Sequence, residues 1–414
     1  MAVVLVVNSG SSSLKYQMLR SPDEIADQSR VGHDDGEPVL QRLVVGRVEQ
    51  IGSENSRQTH HTEGSPERVV SCPVPDLAAA VDLMSEALRQ SGPDLDAADA
   101  VGHRIVHGGD RFTEATLVDD EVEQEIERLS TLAPLHNPPS LEGLRSMRAA
   151  LPHIPHVAVF DTAFHATMPP VATTYAIPPA LAARHGVRRY GFHGTSVGYV
   201  ARQAALSLGR PLHRTNLIVC HLGNGASVTA VESGRSVDTS MGMTPLAGLV
   251  MGTRSGDIDP AAVTHLTRAA GLDADAVDHL LNFQSGLLGL SGESDVREVR
   301  RLAAEGERSA AAALDIYAYR LRKYVGGYLA VLPRLDGLVF TGGIGEHDAQ
   351  LRSDVVGPLQ HLGLRLDADT NGSAVNLSEA VRIDDGAEGP AVLVVPTDEE
   401  VEIAAQVLQV LALR

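Results

Sequence analysis

The chain has 414 residues and a formal net charge of −19, which is enough length for two domains and makes nucleic acids and anionic membranes poor partners. Its two cysteines give no disulfide framework, and no stretch reaches the roughly 20 apolar residues that cross a bilayer. The apolar N-terminus has no basic region before it, so it does not match a signal peptide. These features predict a soluble, cytoplasmic protein.

The first motif is an apolar strand that ends in a polar turn. Val3 to Val7 is too short for a helix and is rich in β-branched residues, so it predicts a strand buried on both faces. The turn from Asn8 to Ser13 contains only small side chains, and Lys15 adds a positive charge. This pattern predicts a β-hairpin whose tip can hold phosphate.

The same pattern recurs at residues 217–234, with a turn that contains Gly223, Asn224, Gly225 and Ser227. We expect Asn8 and Asn224 to occupy comparable places in the two hairpins. One glycine-rich hairpin is weak evidence, because most such turns are only turns. Two hairpins in one chain suggest a duplicated domain with a nucleotide between the halves.

Two charged residues lie on or just after short apolar strands. Arg104 lies within a strand predicted around residues 101–106, and a buried arginine needs an anionic partner. Spacing alone leaves a structural ion pair and a substrate clamp both open. Asp161 follows the strand Val157 to Phe160, where open α/β sheets place their chemistry, although it could instead cap the next turn.

Histidines and a second arginine lie in glycine- and proline-rich segments. By itself, His136 is typical of an ordinary loop histidine. His193, with an ordinary pKa of about 6.5, can donate to phosphate, although a lone histidine is more often structural. Arg254 lies in the predicted loop 238–260, and the guanidinium fork matches the oxygens of a transferring phosphoryl group.

Several helices are predicted from periodicity and caps. The first covers 76–90 and is capped by Asp76, and the second covers 140–150. The third covers 309–332 and is interrupted at Gly326 and Gly327. A third glycine-rich turn is predicted at 340–347.

At the C-terminal end, Thr397 and Glu400 match a capping box, which places Asp398 and Glu399 in the first helical turn. Capping alone would explain these acids.

Ten motifs carry a family resemblance, in the order NSGSSSLKY, GHRIVHGG, LAPLHNPPS, VFDTAFH, RRYGFHGTS, HLGNGAS, DTSMGMTPLAG, MGTRSGDIDP, FTGGIGE and PTDEE. Together they resemble the acetate kinase family, within the superfamily of acetate and sugar kinases, heat-shock chaperones and actin, from residue 3 to about residue 405. The resemblance implies an α/β protein with a duplicated RNase H-like (actin-like ATPase) fold and the active site in the cleft between two domains. The first domain would comprise 1–163 with the C-terminal helix 396–414, and the second, nucleotide-binding domain would comprise 164–395.

The implied reaction is the reversible, direct in-line transfer of the γ-phosphoryl group of ATP to acetate, giving acetyl phosphate and ADP. It would need Mg²⁺, with Mn²⁺ as a possible substitute, and the enzyme would be a homodimer. The implied catalytic residues are Arg104, Asp161, His193 and Arg254. The implied substrate-binding residues are Arg104, Val106, Leu135, His136, Phe192 and Pro245. The implied metal ligands are Asn8 and Glu399.

The implied ATP-binding residues are Ser11, Ser13, Lys15, His221, Leu222, Gly223, Asn224, Gly225, Asp295, Val296, Arg297, Gly343, Ile344, Gly345, Glu346 and His347. Of these, residues 343–345 would form an adenine platform, and His347 departs from the asparagine usual in the family. Two alternatives remain. A propionate or butyrate kinase would share the phosphate motifs, and a non-enzymatic, actin-like or chaperone-like ATPase switch would share the hairpins but would have no reason to carry Arg104, His193 and Arg254.

Overall fold

The computed structural model describes residues 1–10, 12–22 and 40–412. Its contacts divide the chain into two units, which we call unit 1 and unit 2. Unit 1 comprises Met1–Phe164 and the residues from Asp398 onward, and unit 2 comprises His165–Thr397. In the described part of the chain, no helix combines the length and the apolar character needed to cross a membrane.

The strands of unit 1 are β1 (Val3–Ser9), β2 (Ser13–Arg20), β3 (Gln41–Glu49), β4 (Arg57–Thr62), β5 (Arg68–Ser71), β6 (Ala100–Ile105), β7 (Thr116–Leu117) and β8 (His156–Phe160). Those of unit 2 are β9 (Leu217–Leu222), β10 (Ala226–Glu232), β11 (Arg235–Thr239), β12 (Gly337–Thr341), β13 (Val381–Arg382) and β14 (Ala391–Val394).

The helices are α1 (Leu77–Ser91), α2 (Asp120–Leu129), α3 (Asn137–Ala150), α4 (Pro170–Thr173), α5 (Pro179–His185), α6 (Gly194–Ser207), α7 (Pro260–Ala269), α8 (Ala274–Phe283), α9 (Gly286–Ser291), α10 (Val296–Ala304), α11 (Arg308–Val331), α12 (Gly342–His347), α13 (Ala349–Val356), α14 (Ala368–Ser373) and α15 (Glu399–Ala412). Short 3₁₀ turns cover Leu95–Ala97, Ala163–Thr167, Leu212–Arg214 and Gly357–Leu362.

Each unit is built on one mixed sheet. The strand order is β5-β4-β3-β2-β1-β6-β8-β7 in unit 1 and β11-β10-β9-β12-β14-β13 in unit 2. In unit 1, β3, β2 and β1 pair antiparallel, and β1, β6 and β8 pair parallel. In unit 2, β11, β10 and β9 repeat the antiparallel part, and β9, β12 and β14 repeat the parallel part. The same five-stranded topology therefore occurs twice, which confirms the predicted duplication.

The core shows why β1 is apolar on both faces. Leu5 and Val7 pack in a cluster with residues of α1, whereas Val4 and Val6 pack with residues of α15 on the opposite face. A strand covered on both faces reads as a continuous apolar run rather than an alternating one.

Both predicted hairpins are present, but their asparagines are not in comparable places. Asn8 lies within β1, where it is paired with Lys15 of β2. Asn224 lies in the turn itself, because Leu222 pairs directly with Ala226, whereas Ser227, predicted in the turn, lies in β10. The expected equivalence of the two asparagines is therefore wrong.

The helix α3 begins earlier than predicted. It starts at Asn137 rather than at Ser140 and contains Pro138 and Pro139 in its first turn. Proline is tolerated there because the first N–H groups of a helix have no partner within the helix. Pro138 and Pro139, which the sequence places before the helix, are therefore part of its first turn.

Two glycine predictions need correction. The helix α11 continues through Gly326 and Gly327 without interruption, at a cost of about 1 kcal/mol for each glycine relative to alanine. Val325 and Tyr328 of the same turn are buried, and this burial offsets the cost. The predicted turn at 340–347 is instead the end of β12 followed by the short helix α12.

The predicted capping box at the start of α15 is wrong. Asp398 is the cap, since its Oδ1 accepts a hydrogen bond from the Val401 N–H at 3.1 Å. The Thr397 hydroxyl lies 2.7 Å from Ser196 Oγ instead. Glu399 does lie in the first turn of α15, as predicted.

A glycine in β6 is required for the packing of α15. A Cβ added at Gly102 would lie 2.8 Å from methyl groups of both Ile403 and Val407. We expect Gly102→Ala to lower the free energy of unfolding by about 1–3 kcal/mol, because these β-branched side chains cannot move aside. Denaturant unfolding monitored by circular dichroism measures the change.

Gly326→Ala is the matched control. No atom lies within 4 Å of a Cβ added at this helical glycine, so alanine should raise the free energy of unfolding by about 0.5–1 kcal/mol. Equal effects of the two substitutions would contradict this account of the α15 packing.

Candidate active site

Three predicted residues meet at the carboxyl edge of the parallel strands of unit 1. Asn8 lies near the end of β1, Arg104 near the end of β6, and Asp161 directly after β8. Arg104 Nε donates to Asp161 Oδ1 at 3.0 Å and its Nη2 donates to Oδ2 at 2.5 Å. This bidentate pair fixes the plane of the guanidinium group.

Two further oxygens surround Arg104. Its Nη1 donates to Asn8 Oδ1 at 3.4 Å, and Glu399 Oε2 lies 3.6 Å from its Nε. Burial opposes the charge, but the Asp161 and Glu399 carboxylates outweigh it and raise the pKa of Arg104. The ion pair that the sequence left open is therefore present, and a role in substrate binding would come in addition to it.

The first hairpin places a cation beside this group. Lys15 is exposed and pairs with Asn8 across the β1–β2 ladder. Ser13 begins β2, and its carbonyl oxygen accepts from the Gly10 N–H at 2.8 Å. Ser11, also predicted to bind ATP, lies outside the described residues.

An asparagine that the sequence analysis missed joins two loops carrying predicted substrate residues. The His107 N–H donates to Asn137 Oδ1, and Asn137 Nδ2 donates back to the His107 carbonyl, each at 3.0 Å. Val106 precedes His107, and Leu135 and His136 precede Asn137. The amide therefore joins the two segments that carry these three residues. No sequence signal separates this asparagine from any other polar residue before a helix.

In unit 2, His193 is held in an unusual backbone conformation at the start of α6. Its φ of 60° and ψ of 22° lie in the left-handed region, which costs a residue with a side chain about 1–2 kcal/mol. Its Nδ1 lies 3.0 Å from Ser227 Oγ, and its ring lies 4.3 Å from the ring of His221. Strain of this kind persists where the surrounding structure enforces it.

Arg254 and His193 face the second hairpin together. A Cβ added at Gly225 would lie 3.5 Å from both Arg254 Nη1 and His193 Nε2. The adjacent Asn224 accepts at its carbonyl oxygen from the Gly252 N–H at 3.0 Å, which fixes the loop carrying Arg254. Of the other predicted hairpin residues, His221 and Leu222 end β9, and Gly223 follows in the turn.

Arg254 differs electrostatically from Arg104. Its Nη1 donates to the Pro245 carbonyl oxygen at 3.1 Å and lies 3.6 Å from Met251 Sδ. Burial lowers the pKa of Arg254, and no carboxylate of the described residues pairs with it. A desolvated guanidinium without a carboxylate is suited to binding an anion.

The predicted adenosine residues lie on α12 and at the start of α10. Glu346 Oε1 accepts from the N–H groups of Gly342, at 2.9 Å, and Thr397, at 3.2 Å. The exposed His347 lies with Nδ1 3.0 Å from the Gly343 carbonyl oxygen and Nε2 3.2 Å from Asn376 Oδ1. Gly343 is exposed, whereas Ile344 is half-buried and Gly345 is buried.

An ion pair connects α10 to this helix. Arg300 Nε donates to Asp348 Oδ2 at 2.5 Å, so the segments 295–297 and 343–347 are held in one region of unit 2. Asp295 caps α10 and pairs with the exposed Arg297 at 2.5 Å, and Val296 between them is buried.

A second residue that the sequence analysis missed supports α12. Arg352 is fully buried, and its guanidinium donates to the carbonyl oxygens of Gly345 and Glu346, each at 2.9 Å. Its position one turn into α13 gives no sequence signal of this contact.

Comparison with known proteins identifies the family. The model of the acetokinase family matches residues 3–405. The chain belongs to the acetokinase family. It is 52% identical over 407 residues to an acetate kinase of Streptomyces avermitilis, with 97% of this chain and 96% of that protein covered.

Two solved structures share the whole fold. One is the crystal structure of Porphyromonas gingivalis acetate kinase, whose sequence is 39% identical to this chain. The TM-score is 0.89, and the match covers 99% of this chain and 100% of that one. The chain is also 39% identical to a propionate kinase from Francisella tularensis, with a TM-score of 0.87 and coverage of 98% and 99%. The predicted family and duplicated fold are confirmed, and this acetokinase is a phosphotransferase with a carboxyl group as acceptor.

One buried histidine gives this acetokinase a pH-dependent stability. His165 Nε2 donates to the Phe192 carbonyl oxygen at 2.9 Å, and its Nδ1 lies 2.9 Å from Ser236 Oγ. Burial lowers the pKa of His165 to about 4, although the bond to Phe192 opposes this shift. The unfolded chain therefore takes up the proton first as the pH falls.

We expect the contribution of His165 to the free energy of unfolding to fall by about 2 kcal/mol as the pH is lowered from about 6.5 to 5. Denaturant unfolding at both pH values would show a smaller loss for His165→Gln than for the wild type, by about this amount. The control is His153→Gln, which removes an exposed histidine. Equal losses for the wild type and His165→Gln would show that His165 is not the source.

Proposed function

We propose that this acetokinase transfers the γ-phosphoryl group of ATP reversibly to acetate, giving acetyl phosphate and ADP, by direct in-line displacement. The observation that carries the residue assignment is the half-buried Arg254, which lacks a carboxylate partner among the described residues and faces the same hairpin glycine as His193. Phosphoryl transfer spreads negative charge over three equatorial oxygens, and preorganised donors stabilise that charge.

We assign Arg254 and His193 to the transferring phosphoryl group. The guanidinium of Arg254 already donates to a neutral carbonyl oxygen, which leaves its positive charge available to an anion. The His193 ring is fixed by Ser227 and His221, so donation from His193 to a phosphoryl oxygen needs little reorganisation. His193 acts here by stabilising the transition state and forms no covalent intermediate.

Arg104 and Asp161 have different roles. Asp161 is 1% exposed and occupies two donors of Arg104. It therefore fixes the guanidinium while the remaining N–H groups are able to donate. We assign Arg104 to the acetate carboxylate or the transferring phosphoryl group and Asp161 to the alignment of Arg104.

The family uses a divalent metal with ATP, and the oxygens around Arg104 fit such an ion. Asn8, Asp161 and Glu399 offer only amide and carboxylate oxygens, the ligands that hard cations prefer. No group of three or more His, Cys, Asp or Glu side chains in the described ranges matches a metal cage, so an ion here would keep several waters. We propose Mg²⁺, with Mn²⁺ as a possible substitute, held by Asn8 and Glu399, and its charge would neutralise phosphate oxygens.

The remaining assignments concern binding. We propose that Ser13, Lys15, Asn224 and Gly225 bind phosphates and that the α10 and α12 residues described above bind adenosine. The homodimer and the cytoplasmic location that the resemblance implies stay predictions.

The first prediction from this proposed function concerns the formation of acyl phosphate from ATP, Mg²⁺ and acetate, with the product trapped by hydroxylamine. We expect Arg254→Ala to lower kcat by about 10³-fold, because the charge of the transferring group loses its guanidinium partner. The matched control is Arg301→Ala, whose arginine is exposed and pairs with Glu298 and Glu305, and it should keep wild-type activity. ATP hydrolysis without acyl phosphate from any short carboxylic acid in the wild type would overturn the proposed function in favour of an ATPase switch.

The second prediction concerns the acid. We propose that Val106, Leu135, Phe192 and Pro245 line a pocket for the methyl group. A small apolar pocket discriminates one methylene by about 1–3 kcal/mol, so propionate should be a poorer substrate and butyrate should give almost no product. The similar propionate kinase structure makes propionate the second candidate substrate.

Val106→Ala tests this pocket, because it removes two methyl groups from a half-buried side chain. The variant should lower the KM for propionate more than the KM for acetate. Steady-state kinetics with both acids measure the two values, and equal shifts would refute the assignment of Val106 to the pocket.

A further inference from the structure

The segment Phe192–Ser196 carries His193 and is bonded to both ends of unit 2. Unit 2 begins at His165 and ends at Thr397, the two places where the chain passes between the units. His165 contacts Phe192, the residue before His193, and Thr397 contacts Ser196, three residues after it. The strained backbone at His193 therefore lies between two hydrogen-bonded contacts, one at Phe192 and one at Ser196.

The contact with His165 fixes the entry to His193. A carbonyl oxygen only accepts, so His165 Nε2 carries the proton that it donates to Phe192, and Nδ1 accepts from the Ser236 hydroxyl. A Cβ added at Gly191, whose φ is +80°, would lie 2.8 Å from His165 Cγ. The chain before His193 is thus both hydrogen-bonded and tightly packed.

The contact with Thr397 forms a chain of hydroxyl groups on the other side. Thr397 Oγ1 lies 2.7 Å from Ser196 Oγ, which lies 2.7 Å from His221 Nδ1. Ser196 is fully buried and His221 is 9% exposed. The His221 ring in turn lies 4.3 Å from the His193 ring.

The direction of these hydrogen bonds follows from the number of protons. If Thr397 donates to Ser196 and Ser196 donates to His221 Nδ1, every hydroxyl proton in the chain has an acceptor. In the opposite direction His221 donates to Ser196 and Ser196 donates to Thr397, and the proton of the half-buried Thr397 hydroxyl has no acceptor among the described residues. We therefore adopt the first direction, in which each hydroxyl proton has an acceptor inside the protein. It leaves the proton of neutral His221 on Nε2.

We propose that Thr397 and Ser196 are positioning residues that hold His221 in its Nε2–H tautomer and fix the ring against which His193 packs. The backbone N–H of Thr397 also donates to Glu346 Oε1 at 3.2 Å, which connects the same point to α12. The proposal rests on the proposed function, because His193 and His221 belong to the site assigned there.

The test compares two threonine substitutions with one another. Thr397→Val removes the hydroxyl and keeps the β-branched shape and the backbone N–H, whereas Thr397→Ser keeps the hydroxyl. We expect Thr397→Val and Ser196→Ala each to lower kcat by about tenfold, with KM values for ATP and acetate nearly unchanged, because the ring is displaced rather than removed. Thr397→Ser should restore most of kcat, and the double variant Thr397→Val, Ser196→Ala should lose no more than either single variant.

A spectroscopic readout separates positioning from a merely structural role. The ¹⁵N chemical shifts of histidine-labelled protein should assign the Nε2–H tautomer to His221 in the wild type and a mixture of tautomers in Thr397→Val. The control Thr215→Val removes the hydroxyl of a buried threonine that donates to the Pro211 carbonyl oxygen. It should lower stability without changing kcat or the His221 shifts.

The outcomes are distinguishable. A wild-type Nδ1–H tautomer for His221, or an unchanged kcat in both Thr397→Val and Ser196→Ala, would overturn this proposal and leave the proposed function standing. A wild type that forms no acyl phosphate would overturn the proposed function, while the ¹⁵N shifts would still decide whether Thr397 and Ser196 set the tautomer.

Discussion

Parallel pairing of strands in the middle of each sheet determines where the site residues lie. In unit 1 the register of β1, β6 and β8 brings Asn8, Arg104 and Asp161 to one edge, although 153 residues separate the first from the last. In unit 2 the parallel pairing of β9 with β12 aligns the second hairpin with the start of α12. Parallel strands need long crossover connections, so Asn8, Arg104 and Asp161 arrive from different parts of the chain on or directly after strands of one sheet.

The two arginines show how the same residue type is prepared for different tasks. Arg104 has a carboxylate on two of its nitrogens and a raised pKa, so its position and plane are fixed before any ligand arrives. Arg254 is partly desolvated and bonded to a neutral carbonyl oxygen, so an anion gains the full attraction of its charge. Donors that are already in place lower the activation free energy, because they need not be rearranged during the reaction.

The differences between the predicted and observed elements have physical causes of one kind. Prolines at the start of α3 and glycines inside α11 are signals of local preference, and each is worth at most a few kcal/mol. Packing and backbone hydrogen bonding in the folded chain outweigh them. The cap of α15 passes from Thr397 to Asp398 for a similar reason, since the Thr397 hydroxyl has a partner in Ser196.

The duplicated fold, the family and the residue types of the site can be predicted from the sequence, because buried strands, glycine-rich turns and family motifs are local patterns along the chain. The sequence also placed Arg104 in a strand and Asp161 directly after one. Which of these residues are in contact follows from the three-dimensional fold alone. The Arg104–Asp161 pair, the approach of Arg254 and His193 to Gly225, and the links through Asn137 and Ser196 join residues far apart in the chain. Contacts of this kind depend on strand register and helix packing, which no local pattern records.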